Sequence, residues 1–297
     1  MLSDDVVEKY IIAGRIAKEA IEFGASLIKE NEKLLIVAQK IEEFILAKGG
    51  KPAFPVNIAI NDVAAHFTPK YNDERTFLRG DVVKLDVGVH YDGYIGDKAI
   101  TIEVGTQNWT ELIKASKEAL NFAIEMFAVG VEYDSIGMAI ERVIRSYNYV
   151  PIENLTGHSL ERYNLHAGLS VPNIRGIGKG KVKDGVVLAI EPFATNGIGK
   201  VEGFKNSNIY RFVCKKFLLN PETKFLLKKI EEEFKTLPFT ERWCLGYVKK
   251  IEKAIQPLVR SGCIKPYSTL KEVNRGIVSQ AEETLIANGG ECKVITR

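Results

Sequence analysis

Two aspartates lie inside a pair of strand-like segments separated by one short turn. The first segment covers 82–89 and contains Asp86; after a turn at 91–93, the second covers 94–102 and contains Asp97. Aspartate is depleted in strands, because it competes for backbone hydrogen bonds and brings charge to a half-buried surface. Pairing of the two strands brings the carboxylates near each other, and they repel unless a proton or cation lies between them. The hairpin therefore predicts a cation site, most simply for a divalent metal.

The length and composition indicate a globular protein with a substantial core. The chain has 297 residues and a net charge of +3, which argues against a large nucleic-acid surface and against a specific DNA partner. Its start lacks a basic region followed by an apolar run, and no stretch of about 18 apolar residues could span a membrane. The four cysteines are widely spaced, without a CxxC pair. We expect a cytoplasmic protein with reduced thiols and no membrane contact.

Helical periodicity occurs in two pairs of segments, 6–29 with 31–48 and 109–129 with 133–147. Strand-like segments follow each pair, and 185–191 is one of them. The order of two helices and then strands thus occurs twice, without evident sequence identity between the halves. This order suggests an internal duplication and predicts a mixed α+β fold.

Segment 214–265 differs in composition from its surroundings. It has 12 Lys and Arg against 6 Asp and Glu, and it contains helix-like runs. Strand-like composition returns at 278–295, so we predict that 214–265 is a helical subdomain inserted into a single catalytic domain covering 1–297. A solvated basic face is the simpler explanation of the charge, and contact with an anionic partner is the alternative.

Several histidines and glutamates could carry chemistry. His158 and His166 have glycines close by, which makes a close backbone approach plausible, although a structural role is the alternative for each. Glu191 follows five apolar residues, and it either emerges into solvent or points into a site. Glu282 lies in another strand-like segment, where the adjacent Glu283 must point to the opposite face.

Aspartates, glutamates and one imidazole together suit Mn(II), Fe(II), Co(II) or Zn(II), and several carboxylates can bridge two metals. Spacing alone does not assemble these residues, because they are spread over almost two hundred residues, from Asp86 to Glu282.

Five short motifs, in order and spacing, resemble those of the type II methionine aminopeptidases of the archaeal kind, within the wider pita-bread metallopeptidase group. The resemblance covers the chain nearly from end to end. The motifs are Ala53-Phe54-Pro55-Val56-Asn57-Ile58 through His66, Leu85-Asp86-Val87-Gly88 through Asp97, Thr156-Gly157-His158 with Leu165-His166-Ala167-Gly168, Ala189-Ile190-Glu191-Pro192, and Ser279-Gln280-Ala281-Glu282.

The resemblance implies a pita-bread fold (creatinase/aminopeptidase type), with a pseudo-two-fold antiparallel sheet, flanking helices and the helical insertion. It implies two divalent ions (Co, Fe, Mn or Zn), with Asp97 and Glu282 bridging them. The implied metal ligands are Asp86, Asp97, His158, Glu191 and Glu282. The implied catalytic residues are His66, His166 and Glu191, and the implied substrate-binding residues are Phe54, His66, Leu165 and His166.

The implied reaction is removal of the N-terminal methionine from nascent polypeptides, with small second residues favoured. A metal-activated hydroxide attacks the methionine carbonyl, His166 stabilises the oxyanion, His66 lies near the leaving nitrogen, and Glu191 shuttles the proton. One departure concerns Glu283, where family members usually have a histidine; it could change hydrogen bonding around the metals.

Two alternatives remain at this point. One is an X-Pro peptidase of the same fold, although such enzymes usually have an additional N-terminal domain. The other is a non-catalytic homologue that binds RNA or the ribosome; such proteins typically lose metal ligands, and this chain keeps all five. The basic segment 214–265 also permits an active enzyme that contacts the ribosome.

Overall fold

The computed structural model describes residues 1–297, with residue 206 described by its backbone only. The described chain has six α-helices, and the two predicted helix pairs are confirmed to within three residues at each end. The helices are α1 (Asp4–Leu27), α2 (Leu34–Ala47), α3 (Thr110–Met126), α4 (Tyr133–Ser146), α5 (Pro221–Phe234) and α6 (Ile251–Ser261). Within this described chain, no helix combines the length and the apolar character needed to cross a membrane.

The strands are mostly short, and they form four antiparallel groups. They are β1 (Lys51–Pro52), β2 (Asn57–Ile60), β3 (Val63–Ala65), β4 (Val82–Tyr91), β5 (Tyr94–Glu103), β6 (Val150–Pro151), β7 (Thr156–Ser159), β8 (Ser170–Pro172), β9 (Val186–Ile190), β10 (Phe193–Thr195), β11 (Val201–Phe212), β12 (Phe239–Thr240), β13 (Ile264–Glu272), β14 (Val278–Gln280), β15 (Glu283–Asn288) and β16 (Glu291–Val294).

The predicted hairpin is β4 paired with β5, and it forms the centre of the first half. Its two-residue turn has positive φ at Asp92 (51°) and Gly93 (88°), as the tight turns that match strand twist require. Helices α1 and α2 pack on one face of the hairpin, where the alternate residues of β4 are apolar and buried. At Gly96 on β5, a Cβ would lie 2.6 Å from the Cα of Gly14, so only glycine allows α1 to approach this closely.

The second half repeats the arrangement with α3 and α4. These helices share a core with β9, β15 and the segment between β14 and β15. The two halves join where Ala99 on β5 and Glu282 exchange backbone hydrogen bonds, with N···O distances of 3.3 and 2.9 Å. The sheets of both halves therefore meet at the position of a predicted metal ligand.

The basic segment lies between β11 and β13. It contains α5, β12, a 3₁₀ turn at Glu241–Cys244 and α6, which share a hydrophobic cluster of their own. This arrangement agrees with a helical insertion, and the limits 214–265 stay a prediction.

A buried ion pair fastens this segment to the first half. Arg242, in the 3₁₀ turn, donates to both carboxylate oxygens of Glu42 on α2, and Trp243 Nε1 donates to the same carboxylate at 2.8 Å. Arg242 and Glu42 are 7% and 6% exposed. Because an unpaired buried charge is costly, these contacts fix where the insertion meets α2.

Candidate metal centre

The hairpin places Asp86 and Asp97 on one face of the sheet. Asp97 lies opposite Gly88, and Asp86 lies two residues from Gly88 along β4, so the two aspartates are diagonal neighbours. The ring of Phe54 covers Gly88, where a Cβ would lie 2.1 Å from Phe54 Cε1. The missing side chain at Gly88 therefore gives Phe54 its place beside the carboxylates.

The second half contributes His158 and Glu191. His158 is on β7, paired with Ala189 on β9, and Glu191 directly follows β9. His158 Nε2 lies 3.8 Å from Asp97 Oδ2 and 3.9 Å from Glu191 Oε1. These distances are too long for hydrogen bonds, and they suit atoms arranged around a common centre.

Glu282 completes the group from the junction of the two halves. One donor atom each from Asp97, His158 and Glu282 lies within 4.8 Å of the others. The Gln280 amide donates to Glu282 Oε2 at 3.0 Å and to Glu191 Oε2 at 3.4 Å, which orients both glutamates. Thus all five predicted ligands line one cavity.

The electrostatics of this cavity favour a cation. Burial raises the pKa of the Asp86 carboxyl to about 7. Burial, followed by repulsion from neighbouring carboxylates, raises the pKa values of Asp97, Glu191 and Glu282 well above their usual range. Buried oxygens of Asp86 and Asp97 have no hydrogen-bond partner among the described residues. Carboxylates with an imidazole are a donor set for divalent transition metals, so the residues fit a metal of that class.

The three histidines of the cavity are neutral near pH 7. Burial lowers the pKa of His158 to about 3 and that of His66 to about 4, and it also lowers the pKa of His166. A neutral imidazole can bind a metal or share one N–H with a substrate. His66 has φ of 60°, an uncommon conformation for a residue with a side chain, and it follows β3 directly.

The cavity also has residues that sequence reasoning missed. Asn57, Ile209, Pro238 and Tyr267 line it together with the predicted Phe54, His66, Leu165 and His166. The ring of Tyr267 meets that of His66 edge-on, with centroids 5.3 Å apart. Tyr267 lies on β13 after the insertion, outside the five motifs, so no local signal indicated it. Gln280 lies within a quoted motif, but its hydrogen bonds depend on tertiary contacts.

Glu283 points away from the cavity, as strand alternation predicts. Its carboxylate pairs with Lys98, the residue after Asp97, and accepts a hydrogen bond from Thr296. Thr284 adds a second link, because its hydroxyl contacts the Asp97 backbone N and O at 2.7 and 2.8 Å. These contacts join β5 to β15 behind two predicted ligands.

The family model of metallopeptidase family M24 matches residues 8–215, and the chain belongs to this family. Over 296 residues it is 47% identical to a methionine aminopeptidase of Archaeoglobus fulgidus, with 100% of each chain covered. The predicted resemblance to archaeal methionine aminopeptidases is thereby confirmed.

Solved structures confirm the pita-bread fold. A thermophilic Arx1 superposes with a TM-score of 0.84 at 17% identity, covering 99% of this chain and 91% of the other. A methionine aminopeptidase of Thermotoga maritima superposes with a TM-score of 0.73 at 21% identity, covering 100% and 98%. At these identities the likeness shows the fold alone.

The contribution of Asp86 to the stability of the metal-free protein should fall as the pH rises from about 4 to about 7, the interval between the usual and the raised pKa of its carboxyl. In that interval the folded state keeps a proton that the unfolded chain has released. Divalent metal replaces these protons, so it should raise the melting temperature more at about pH 8 than at about pH 5. Calorimetry with EDTA or Mn(II) measures both effects. The difference between wild type and Asp86→Asn isolates the Asp86 contribution, because the lowered pKa values of His66 and His158 act in the opposite direction in both proteins. The same pH dependence in EDTA for both proteins would contradict the raised pKa of Asp86.

Breaking the Lys98–Glu283 pair should destabilise the protein and weaken metal binding. Glu283→Leu leaves the buried Lys98 without its ion-pair partner, which costs about 3–5 kcal/mol. Lys98→Met should cost less, because Glu283 keeps Arg297 at 3.5 Å, and the double variant should lose less than the sum. Urea unfolding and metal titration measure the two effects. The exposed pair Lys114–Glu111 on α3 is the matched control, with an expected cost below about 1 kcal/mol. Additive losses at Lys98 and Glu283 would mean that the pair does not couple the strands.

Proposed function

We propose that the protein is a metal-dependent aminopeptidase that removes the N-terminal methionine from nascent polypeptides, with small second residues favoured. The observation that carries this proposal is the convergence of carboxylates and histidines from both halves in one buried cavity. The similarity to a named methionine aminopeptidase over the whole chain supports the substrate. The proposal includes a cytoplasmic location, where nascent chains emerge.

Five residues are proposed to hold two divalent metal ions. The ligands are Asp86, Asp97, His158, Glu191 and Glu282. Four carboxylates carry a charge of −4 when ionised, which two divalent ions would balance, and this balance supports the number of ions. When bound, such ions acidify water and polarise a carbonyl group. Co(II), Fe(II), Mn(II) and Zn(II) all suit the donor atoms.

The remaining roles are those that the family resemblance implies, and the positions of the side chains support them. Gln280 holds Glu191 Oε2, and Glu191 Oε1 faces His158, so this carboxylate is positioned to accept the proton of the attacking water. His166 is neutral and is proposed to donate its N–H to the carbonyl oxygen as charge develops there. His66 is proposed to hydrogen-bond near the scissile amide nitrogen.

The methionine side chain is proposed to pack against Phe54 and Leu165. Phe54 is 5% exposed and Leu165 9% exposed, and both belong to one apolar cluster beside the carboxylates. An apolar wall next to the ligands suits an unbranched thioether and gives a polar first residue no partner.

The alternatives are not favoured. An X-Pro peptidase shares the fold, but the relative that matches the whole chain is named methionine aminopeptidase. A non-catalytic homologue would not need four buried carboxylates together, since repulsion makes such a cluster costly without a cation.

Release of methionine from a Met-Ala-Ser peptide tests the proposal. Asp97→Asn or His158→Ala should abolish metal-dependent release. The loss should exceed the roughly 10–100-fold loss that is typical when a residue hydrogen-bonded to a metal ligand is changed. Asp92→Asn, on the exposed turn of the same hairpin, is the matched control and should keep full activity. The assay uses Fe(II), Mn(II), Co(II) and Zn(II) separately, with X-Pro peptides alongside. Full activity of either ligand variant, or cleavage of X-Pro peptides alone, would contradict the assignment.

We further propose that the basic segment contacts ribosomal RNA. Phe217 is 87% exposed and lines one groove together with Lys215, Lys216 and Lys224. Leu219, two residues further on, is 88% exposed. Lysines contribute attraction to phosphates, and an exposed aromatic ring can stack on an unpaired base. Lys215 also pairs with a glutamate of α5, at 2.7 Å, so part of the charge is balanced within the segment.

Ribosome co-sedimentation tests this contact. The variant reverses six lysines of the segment to Glu: Lys215, Lys216, Lys228, Lys229, Lys249 and Lys250. The control reverses six exposed lysines elsewhere: Lys29, Lys40, Lys117, Lys179, Lys183 and Lys293. Binding should fall only in the first variant, and added salt should weaken wild-type binding steeply. Unchanged binding of the first variant would refute the contact, whatever the peptidase activity.

A further inference from the structure

A second cavity, of about 380 Å³, lies beside the candidate metal centre. We call it the outer cavity; α2, β1, β4 and the segment from α5 to the 3₁₀ turn line it, and it opens to solvent past the exposed Glu43, Lys51 and Glu233. Pro238 lines both cavities. The adjacent Leu237 lines the outer cavity and packs in the same apolar cluster as Phe54 and Leu165. One thin wall therefore separates the outer cavity from the proposed methionine pocket.

The outer cavity suits a small ligand with an apolar part. Its volume falls in the range of small-molecule sites. Leu46, Phe234, Leu237, Pro238 and Trp243 supply apolar surface. An unbranched side chain could cover that surface.

His90 supplies a buried hydrogen-bond donor to this cavity. It is 7% exposed, and its Nδ1 accepts a hydrogen bond from Gly93 N at 3.1 Å. Burial lowers the His90 pKa to about 4, so near pH 7 the single ring proton is on Nε2. Nε2 has no hydrogen-bond partner in the described chain. Lys51 lies opposite His90 in the β1–β4 pairing, so both side chains occupy the same face. Together they form a site for a carboxylate.

Two carboxylates in the outer cavity supply negative charge, opposite to the positive charge of Lys51. Glu43 and Glu233 line the cavity, and neither forms an ion pair with the described side chains. The neighbouring Glu42 is not available, because Arg242 and Trp243 occupy both of its oxygens. An ammonium group would be the complementary partner of the free carboxylates.

We propose that the outer cavity binds a free α-amino acid with an unbranched apolar side chain, and that its occupancy is transmitted to the metal centre through Leu237 and Pro238. Methionine, released by the proposed reaction, is one such amino acid, and in this respect the inference rests on the proposed function. Free methionine, the product, would then inhibit the enzyme from a site outside the catalytic cavity.

Trp243 makes binding directly measurable. Trp109→Phe leaves Trp243 as the sole tryptophan of the full-length protein. Titration of the metal-free protein with L-methionine should change its emission saturably, and norleucine should act similarly. Hexanoate and pentylamine, which each carry one charge, should bind about tenfold more weakly or worse.

Variants separate the outer cavity from the metal centre. Lys51→Glu should weaken methionine binding about tenfold or more, and Glu233→Lys should do likewise. The exposed Lys40→Glu on α2, outside the cavity, is the matched control and should bind normally. Asp97→Asn should keep the fluorescence response, because the outer cavity does not use that ligand.

Kinetics complete the test. In Lys51→Glu, inhibition by methionine should be relieved while kcat on the Met-Ala-Ser peptide stays unchanged. No saturable response, or a response lost in Asp97→Asn but kept in Lys51→Glu, would overturn the inference. Binding that persists in a protein without peptidase activity would refute the proposed function and leave the outer cavity intact.

Discussion

Four carboxylates share one buried cavity, and their mutual repulsion is the constraint around which the two halves of the chain are arranged. Burial raises the pKa of Asp86 to about 7. Burial also raises the pKa values of Asp97, Glu191 and Glu282, and repulsion from the neighbouring carboxylates adds to the rise. A fold that kept this cluster for stability alone would gain by replacing it with apolar side chains. The cluster therefore fits divalent cations between the carboxylates, and the Gln280 hydrogen bonds orient two of its glutamates.

The halves depend on each other at this point. Asp86 and Asp97 come from the first half, and His158 and Glu191 come from the second. The Ala99–Glu282 backbone bridge sets the distance between the proposed ligands of the first half and those of the second half, because Glu282 is itself a proposed ligand. Metal binding should consequently stabilise the junction between the halves as well as each half.

Local signals in the sequence singled out the candidate residues that the structure brings together in one cavity, and the family resemblance implied how they combine into a ligand set. An aspartate inside each strand of a hairpin is visible without a structure, and so is a glutamate that ends an apolar run. Strand alternation predicted that the side chains of Glu282 and Glu283 point to opposite faces. The helix pairs were predicted to within three residues, since each has a long apolar stripe.

What could not be predicted depends on contacts between distant segments. Tyr267 reaches His66 from across some two hundred positions, and Gln280 looks like an ordinary polar strand residue. The partner of Glu283 was also hidden: the residue was noted as a departure from the family, but Lys98 gives it a buried counter-charge. An ion pair of this kind is visible only once β5 and β15 are known to be neighbours.

The position of the insertion links substrate binding to the rest of the molecule. Its 3₁₀ turn is fixed to α2 by Arg242 and Glu42, while the preceding Leu237 and Pro238 reach the apolar wall beside Phe54. The two ends of this short segment are therefore anchored differently, one by a buried ion pair and the other by apolar packing. The insertion thus forms part of the wall beside the proposed methionine pocket, although it contributes none of the proposed metal ligands.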